Sequence, residues 1–127
     1  MPEQFLRKKR FLIVDDDQST VDIVREVLNH NGAYCAGVID SGQVMSLLLS
    51  ESFDGVILDR YMPEIDGHEL LLQIKDEVKT RHLPVIMLTG EKQVDEIRQS
   101  LNLGASGYVV KPFTPKSFLL QLKKIIN

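Results

Sequence analysis

Three aspartates and a lysine define the chemistry open to this chain. Asp15-Asp16, Asp59 and Lys111 each follow directly on a short aliphatic run: Phe11-Leu12-Ile13-Val14, Val56-Ile57-Leu58 and Tyr108-Val109-Val110. A fourth run, Val85-Ile86-Met87-Leu88, ends in Thr89. Carboxylates brought together repel one another and need compensation, most simply from a divalent cation. Hard oxygen donors without histidine or cysteine favour magnesium, which takes few protein ligands and keeps several waters. A lysine beside such a site would hold a transferred phosphoryl group as a point charge. The Thr89 hydroxyl can donate to a phosphoryl oxygen, and Gly90 leaves the backbone room to approach. The plainer alternative makes Asp15-Asp16-Asp17 a helix cap, Asp59 a turn residue, Lys111 a solvated side chain and Thr89 an ordinary β-branched strand residue. That account suits Asp17, but it does not explain why separate buried strands end in acids.

The elements that must position these groups follow from the periodicity. Gly55 to Leu58 is a strand buried on both faces, with Asp59 at its carboxyl end and Pro63 and Gly67 punctuating the loop beyond. Open α/β sheets carry their binding crevice at that edge. Val21, Val24 and Leu28 form a helix face with Ile23 and Val27 beside it, capped by Asp17 or Ser19 and stopped at Asn31-Gly32. Tyr34 to Ile39 is a weaker strand, and a helix carrying Val44, Leu47 and Leu48 follows Asp40-Ser41-Gly42. After Gly67 a helix turns Leu70, Leu71, Ile74 and Val78 inward, and Pro84 opens the next strand. Glu91 to Leu103 is a helix with a narrow stripe of Val94, Ile97 and Leu101, ended by Gly104. Pro115 starts the last helix, with Phe118, Leu119, Leu122, Ile125 and Ile126 on its core side. Five strands alternating with five helices specify a doubly wound α/β domain: a parallel sheet with helices on both faces.

Composition narrows the function classes. The 127 residues suit one domain, residues 1–127, with a single core, and 43% hydrophobic and 26% charged residues are ordinary for a globular protein. A net charge of -3 gives no case for nucleic-acid or membrane binding, and no apolar run approaches a membrane span, so a cytoplasmic location is expected. Arg7-Lys8-Lys9-Arg10 is expected to be a solvated lead-in, and Cys35, the only cysteine, a small core residue. His30, His68 and His82 share no ligand spacing and are expected at the surface.

With these residues in order, the chain resembles the response-regulator receiver domain, the phosphoacceptor module of two-component signalling. The matching segments are Phe11 to Asp16, Asp59 with Met62-Pro63 and Asp66-Gly67, Thr89-Gly90, and Gly104 to Phe113. The resemblance implies a flavodoxin-like five-stranded parallel sheet of order 2-1-3-4-5. It implies that Asp59 is the phosphoacceptor, taking a phosphoryl group from a phosphohistidine on a sensor histidine kinase or histidine phosphotransfer protein. By the same resemblance Asp16 and Asp59 are direct magnesium ligands, Asp15 assists, and the main-chain carbonyl of Tyr61 is the third protein ligand. Lys111 pairs with the phosphoryl group, and Thr89 and Tyr108 form the switch pair. The Lys111–Pro112 peptide is expected to be cis. Output is expected through a downstream effector or fused output domain, with catalysis limited to the domain's own phosphorylation and dephosphorylation. Val94-Ile97-Leu101, Tyr108 and the last helix are the expected output face.

Two departures from the family pattern bear on mechanism. Arg60 stands where an aliphatic residue is more usual, with a guanidinium able to reach the phosphoryl group or a partner, and Tyr61 is bulky. Position 61 and Glu91, two residues after Thr89, are the places that control attacking water in this family. Two other functions compete. A magnesium-dependent phosphohydrolase with an aspartyl nucleophile would need a second acid where Tyr61 stands, and a cap domain. A phosphate-independent binding module would not need all of the acids and the lysine, yet all are present.

Overall fold

The computed structural model describes residues 4–63, 65–90 and 94–126. Five parallel strands, β1 (Arg10–Val14), β2 (Tyr34–Val38), β3 (Gly55–Asp59), β4 (Val85–Gly90) and β5 (Gly107–Lys111), form one sheet in the order β2-β1-β3-β4-β5. Among the described residues the helices are α1 (Gln18–His30), α2 (Val44–Ser50), α3 (Gly67–Asp76), α4 (Val94–Asn102) and α5 (Pro115–Ile126). This is the expected flavodoxin-like arrangement, with short 3-10 turns at Gln4–Leu6 and Ser41–Gln43.

Alternation along the strands divides the core in two. Phe11, Ile13, Ile57, Ile86 and Leu88 face α1 and α5, where Val24, Leu28, Phe118 and Leu122 are buried. Leu12, Val14, Val56, Leu58 and Met87 face α2 and α3, where Leu48, Leu70, Leu71 and Ile74 are buried. Because side chains on a strand alternate and helices cover both faces, every residue of β3 is buried and the strand reads as an apolar run up to Asp59.

Local signals account for the helix ends. Asp17 caps α1, accepting from the Ser19 backbone N–H, and Asp66 caps α3 by accepting from that of His68. Beyond α1, Gly32 has φ +88°, and beyond α4, Gly104 has φ +110°, conformations that cost glycine least. Helix α3 is shorter than its periodicity predicts: it ends at Asp76, the chain turns extended at Glu77, and Val78 is exposed rather than inward. Strand β2 likewise stops at Val38, leaving Ile39 exposed. The lead-in is not wholly solvated. Arg10 begins β1 with its guanidinium 4.4 Å from the Tyr34 ring centroid and 5.6 Å from that of Phe53. Cys35 is buried as expected, and burial pushes its thiol up to about 12.

Candidate functional site

Sheet register explains why the acids and the lysine meet. Val14 pairs with Leu58, Leu58 with Met87 and Met87 with Tyr108, so these four residues form one row across the sheet. One residue further along come Asp15 and Asp59, in the row of Leu88 and Val109. Lys111 stands two rows beyond that, so strand alternation directs it to the same side as Asp15 and Asp59. Its Nζ donates to Asp15 Oδ2 at 2.9 Å and to Asp59 Oδ1 at 3.1 Å.

Asp15, Asp16 and Asp59 each bring a carboxylate oxygen to within 4.8 Å of the others. Asp15 is fully buried and Asp59 is 7% exposed, while Asp16 faces solvent. Burial and the neighbouring Asp15 carboxylate push Asp59 up to about 6, against the pull of Lys111. Burial opposes the charge of Lys111, but its bonds to Asp15 and Asp59 more than offset this and hold its pKa above the usual lysine value. One cation against three carboxylates leaves the cluster short of positive charge. An all-oxygen donor set open to solvent on one side fits a hard divalent ion such as magnesium.

Thr89 lies in the next row beyond Leu88, and its Oγ1 is buried without a hydrogen-bond partner among the described residues. A buried hydroxyl without a partner is costly, so this oxygen is free to meet an incoming group. Tyr108 is half-buried and packs against the α2–α3 side of the core. The Lys111–Pro112 peptide is cis, as expected.

The loop after Asp59 is fixed by its own residues. Arg60 does not reach toward the acids: its guanidinium pairs with Asp66 and lies 4.8 Å from the Tyr61 ring centroid. The Tyr61 ring itself is exposed. The Gly67 N–H donates to the Arg60 carbonyl at 2.9 Å. A Cβ at Gly67 would collide with the Asp59 carbonyl oxygen and come within 2.8 Å of Arg60 Cα, so the first turn of α3 rests directly on the backbone of the acid. Glu91 lies outside the described residues.

One expectation fails here. His68 is buried rather than at the surface, with Nε2 2.6 Å from Ser100 Oγ on α4. On α4, Val94 and Leu101 of the stripe are exposed and Ile97 is half-buried, while Ser100 is buried.

Comparison with known proteins agrees with the geometry. Residues 11–123 match the family described as the response regulator receiver domain. The response regulator SaeR of Staphylococcus aureus is 35% identical over 116 residues, covering 91% of this chain and 50% of that protein. The chain thus spans about half the length of the curated relatives it matches. The chemotaxis response regulator CheY4 of Vibrio cholerae superposes with a TM-score of 0.87 at 27% identity, covering 93% of this chain and 98% of that one. A CheY-like receiver domain protein from Methanospirillum hungatei gives 0.82 at 30% identity, covering 92% of each. The sequence match, the sheet order and the acidic edge agree, and the chain belongs to the response regulator receiver domain family of two-component signalling.

Proposed function

We propose that residues 1–127 act as one receiver domain whose Asp59 accepts a phosphoryl group from a phosphohistidine on a sensor histidine kinase or histidine phosphotransfer protein. The observation that carries this is the Lys111 ammonium bridging Asp15 and Asp59 at the edge where three carboxylates converge. In the transfer, a carboxylate oxygen of Asp59 forms the new bond to phosphorus, the phosphorus–nitrogen bond breaks, and the donor imidazole leaves and takes up a proton. With its pKa near 6, Asp59 is ionised and nucleophilic at neutral pH.

Asp16, Asp59 and the main-chain carbonyl of Tyr61, with Asp15 assisting, would hold magnesium. When bound, it neutralises charge on the phosphoryl oxygens. Lys111, already a cation within reach of Asp59, keeps that role toward the phosphoryl oxygens. The free Thr89 hydroxyl donates to one of them, and Tyr108 follows it inward. Positioning and charge suffice, because phosphoryl transfer asks for little covalent work from the protein. The added charge then favours one of two arrangements of β5 and its neighbouring helices, read by an effector protein or an output domain. The Tyr61 ring, exposed at the position where a phosphohydrolase would need its second acid, disfavours that alternative. No helix among the described residues is long and apolar enough to cross a membrane.

The test is transfer from purified, radiolabelled histidine kinases. Label should move to this chain in the presence of magnesium, and not to Asp59→Asn. Transfer to Asp59→Asn equal to that of the unaltered chain would overturn the assignment.

A further inference from the structure

The buried side chain on the described part of helix α4 is polar, while its apolar stripe is half-buried at Ile97 and exposed on either side. Ser100 is the buried residue of its described part, at 3% exposure, while Val94 and Leu101 are 62% and 44% exposed. A helix docked by the hydrophobic effect would bury the stripe and expose the serine. The reason lies on α3: His68 Nε2 is 2.6 Å from Ser100 Oγ.

The other side of His68 is tied to the loop after Asp59. Its backbone N–H donates to Asp66 Oδ1 at 2.9 Å, and the same oxygen takes the Arg60 guanidinium. The neighbouring Gly67 donates to the Arg60 carbonyl and has no room for a Cβ against Asp59. The first turn of α3 therefore packs directly on the backbone of residues 59–60. The bond from His68 to Ser100 is buried at both ends, so breaking it in place would leave two desolvated polar groups.

We propose that His68 is a positioning residue that pins α4 to the first turn of α3. Resting on the assignment of Asp59 as phosphoacceptor, the pin also passes the state of the Asp59 loop to α4. This route is separate from the Thr89–Tyr108 pair, since it runs through Arg60, Asp66 and His68.

Hydrogen exchange over residues 94–103 tests both parts in the unaltered chain, Ser100→Ala, His68→Leu and His68→Gln, with and without acetyl phosphate and magnesium, alongside intact mass. Gln can place an amide nitrogen where the imidazole Nε2 stands. Without phosphodonor, α4 should exchange about fivefold faster in Ser100→Ala and His68→Leu, with His68→Gln restoring protection and β1 and β3 unchanged. With phosphodonor, Ser100→Ala should gain the same mass as the unaltered chain while α4 no longer responds. Equal α4 exchange in all four proteins overturns the pin. An α4 response in phosphorylated Ser100→Ala as large as in the unaltered chain overturns the relay. A missing adduct on the unaltered chain sinks the acceptor assignment and the relay with it, and the unphosphorylated samples still decide the pin.

Discussion

The Lys111 ammonium donates to Asp59 Oδ1 across 3.1 Å, joining the last strand to the central one through two side chains 52 residues apart. It is the cation that holds Asp59 down against burial and the Asp15 carboxylate. In Lys111→Met the Asp59 pKa should climb further above about 6, as followed by carbon NMR of the labelled carboxyl. Phosphorylation by a small donor should slow by roughly a hundredfold, the usual scale for losing one transition-state partner.

Asp59 should also cost stability at neutral pH. Its pKa is raised to about 6, so the folded state binds a proton there more readily than the unfolded chain does. The stabilisation from that proton is complete below the unfolded value near 3.8 and is lost as pH rises through about 6. Asp59→Asn should therefore be more stable than the unaltered chain at pH 7 without metal, by on the order of 2 kcal/mol. The gain should vanish by about pH 4, the ordinary carboxylate range. Urea denaturation at the two pH values measures it, and equal stability at pH 7 would contradict the charge crowding.

Magnesium should oppose that crowding. At about a hundredfold excess over its dissociation constant, it should stabilise the chain by about 2.7 kcal/mol, read as a rise in melting temperature. The rise should shrink below pH 6, where Asp59 takes a proton, and be largely lost in Asp59→Asn and in Asp16→Asn.

Gly67 should tolerate no side chain. Alanine there would drive a methyl group into the Asp59 carbonyl and Arg60, both backbone, so α3 must shift. Gly67→Ala should lose roughly 1–3 kcal/mol in denaturation and weaken magnesium binding, because the loop carrying Tyr61 moves with it.

Much of this was legible from residue order. Short aliphatic runs ending in Asp15, Asp59, Thr89 and Lys111 already placed the reactive groups at one edge, since parallel strands with regular crossovers end together. The contact between Lys111 and the two acids follows once register is added. What stayed hidden depended on packing between elements distant in sequence. Nothing near His68 announces Ser100, 32 residues away, and Ser100 lies beside the stripe of Val94, Ile97 and Leu101 rather than on it. Val78 fits the helical period, but the helix stops at Asp76, where the chain turns extended at Glu77, so the period outruns the element. Arg60 looked free to reach a phosphoryl group because its pairing with Asp66, six residues on, is a matter of loop shape.

Intact mass after incubation with acetyl phosphate tests the central claim most directly. The unaltered chain should gain a single phosphoryl group with magnesium, far less after chelation, and none in Asp59→Asn. An adduct of equal yield in Asp59→Asn, or none on the unaltered chain while magnesium binding is confirmed by the thermal shift, would contradict Asp59 as the phosphoacceptor.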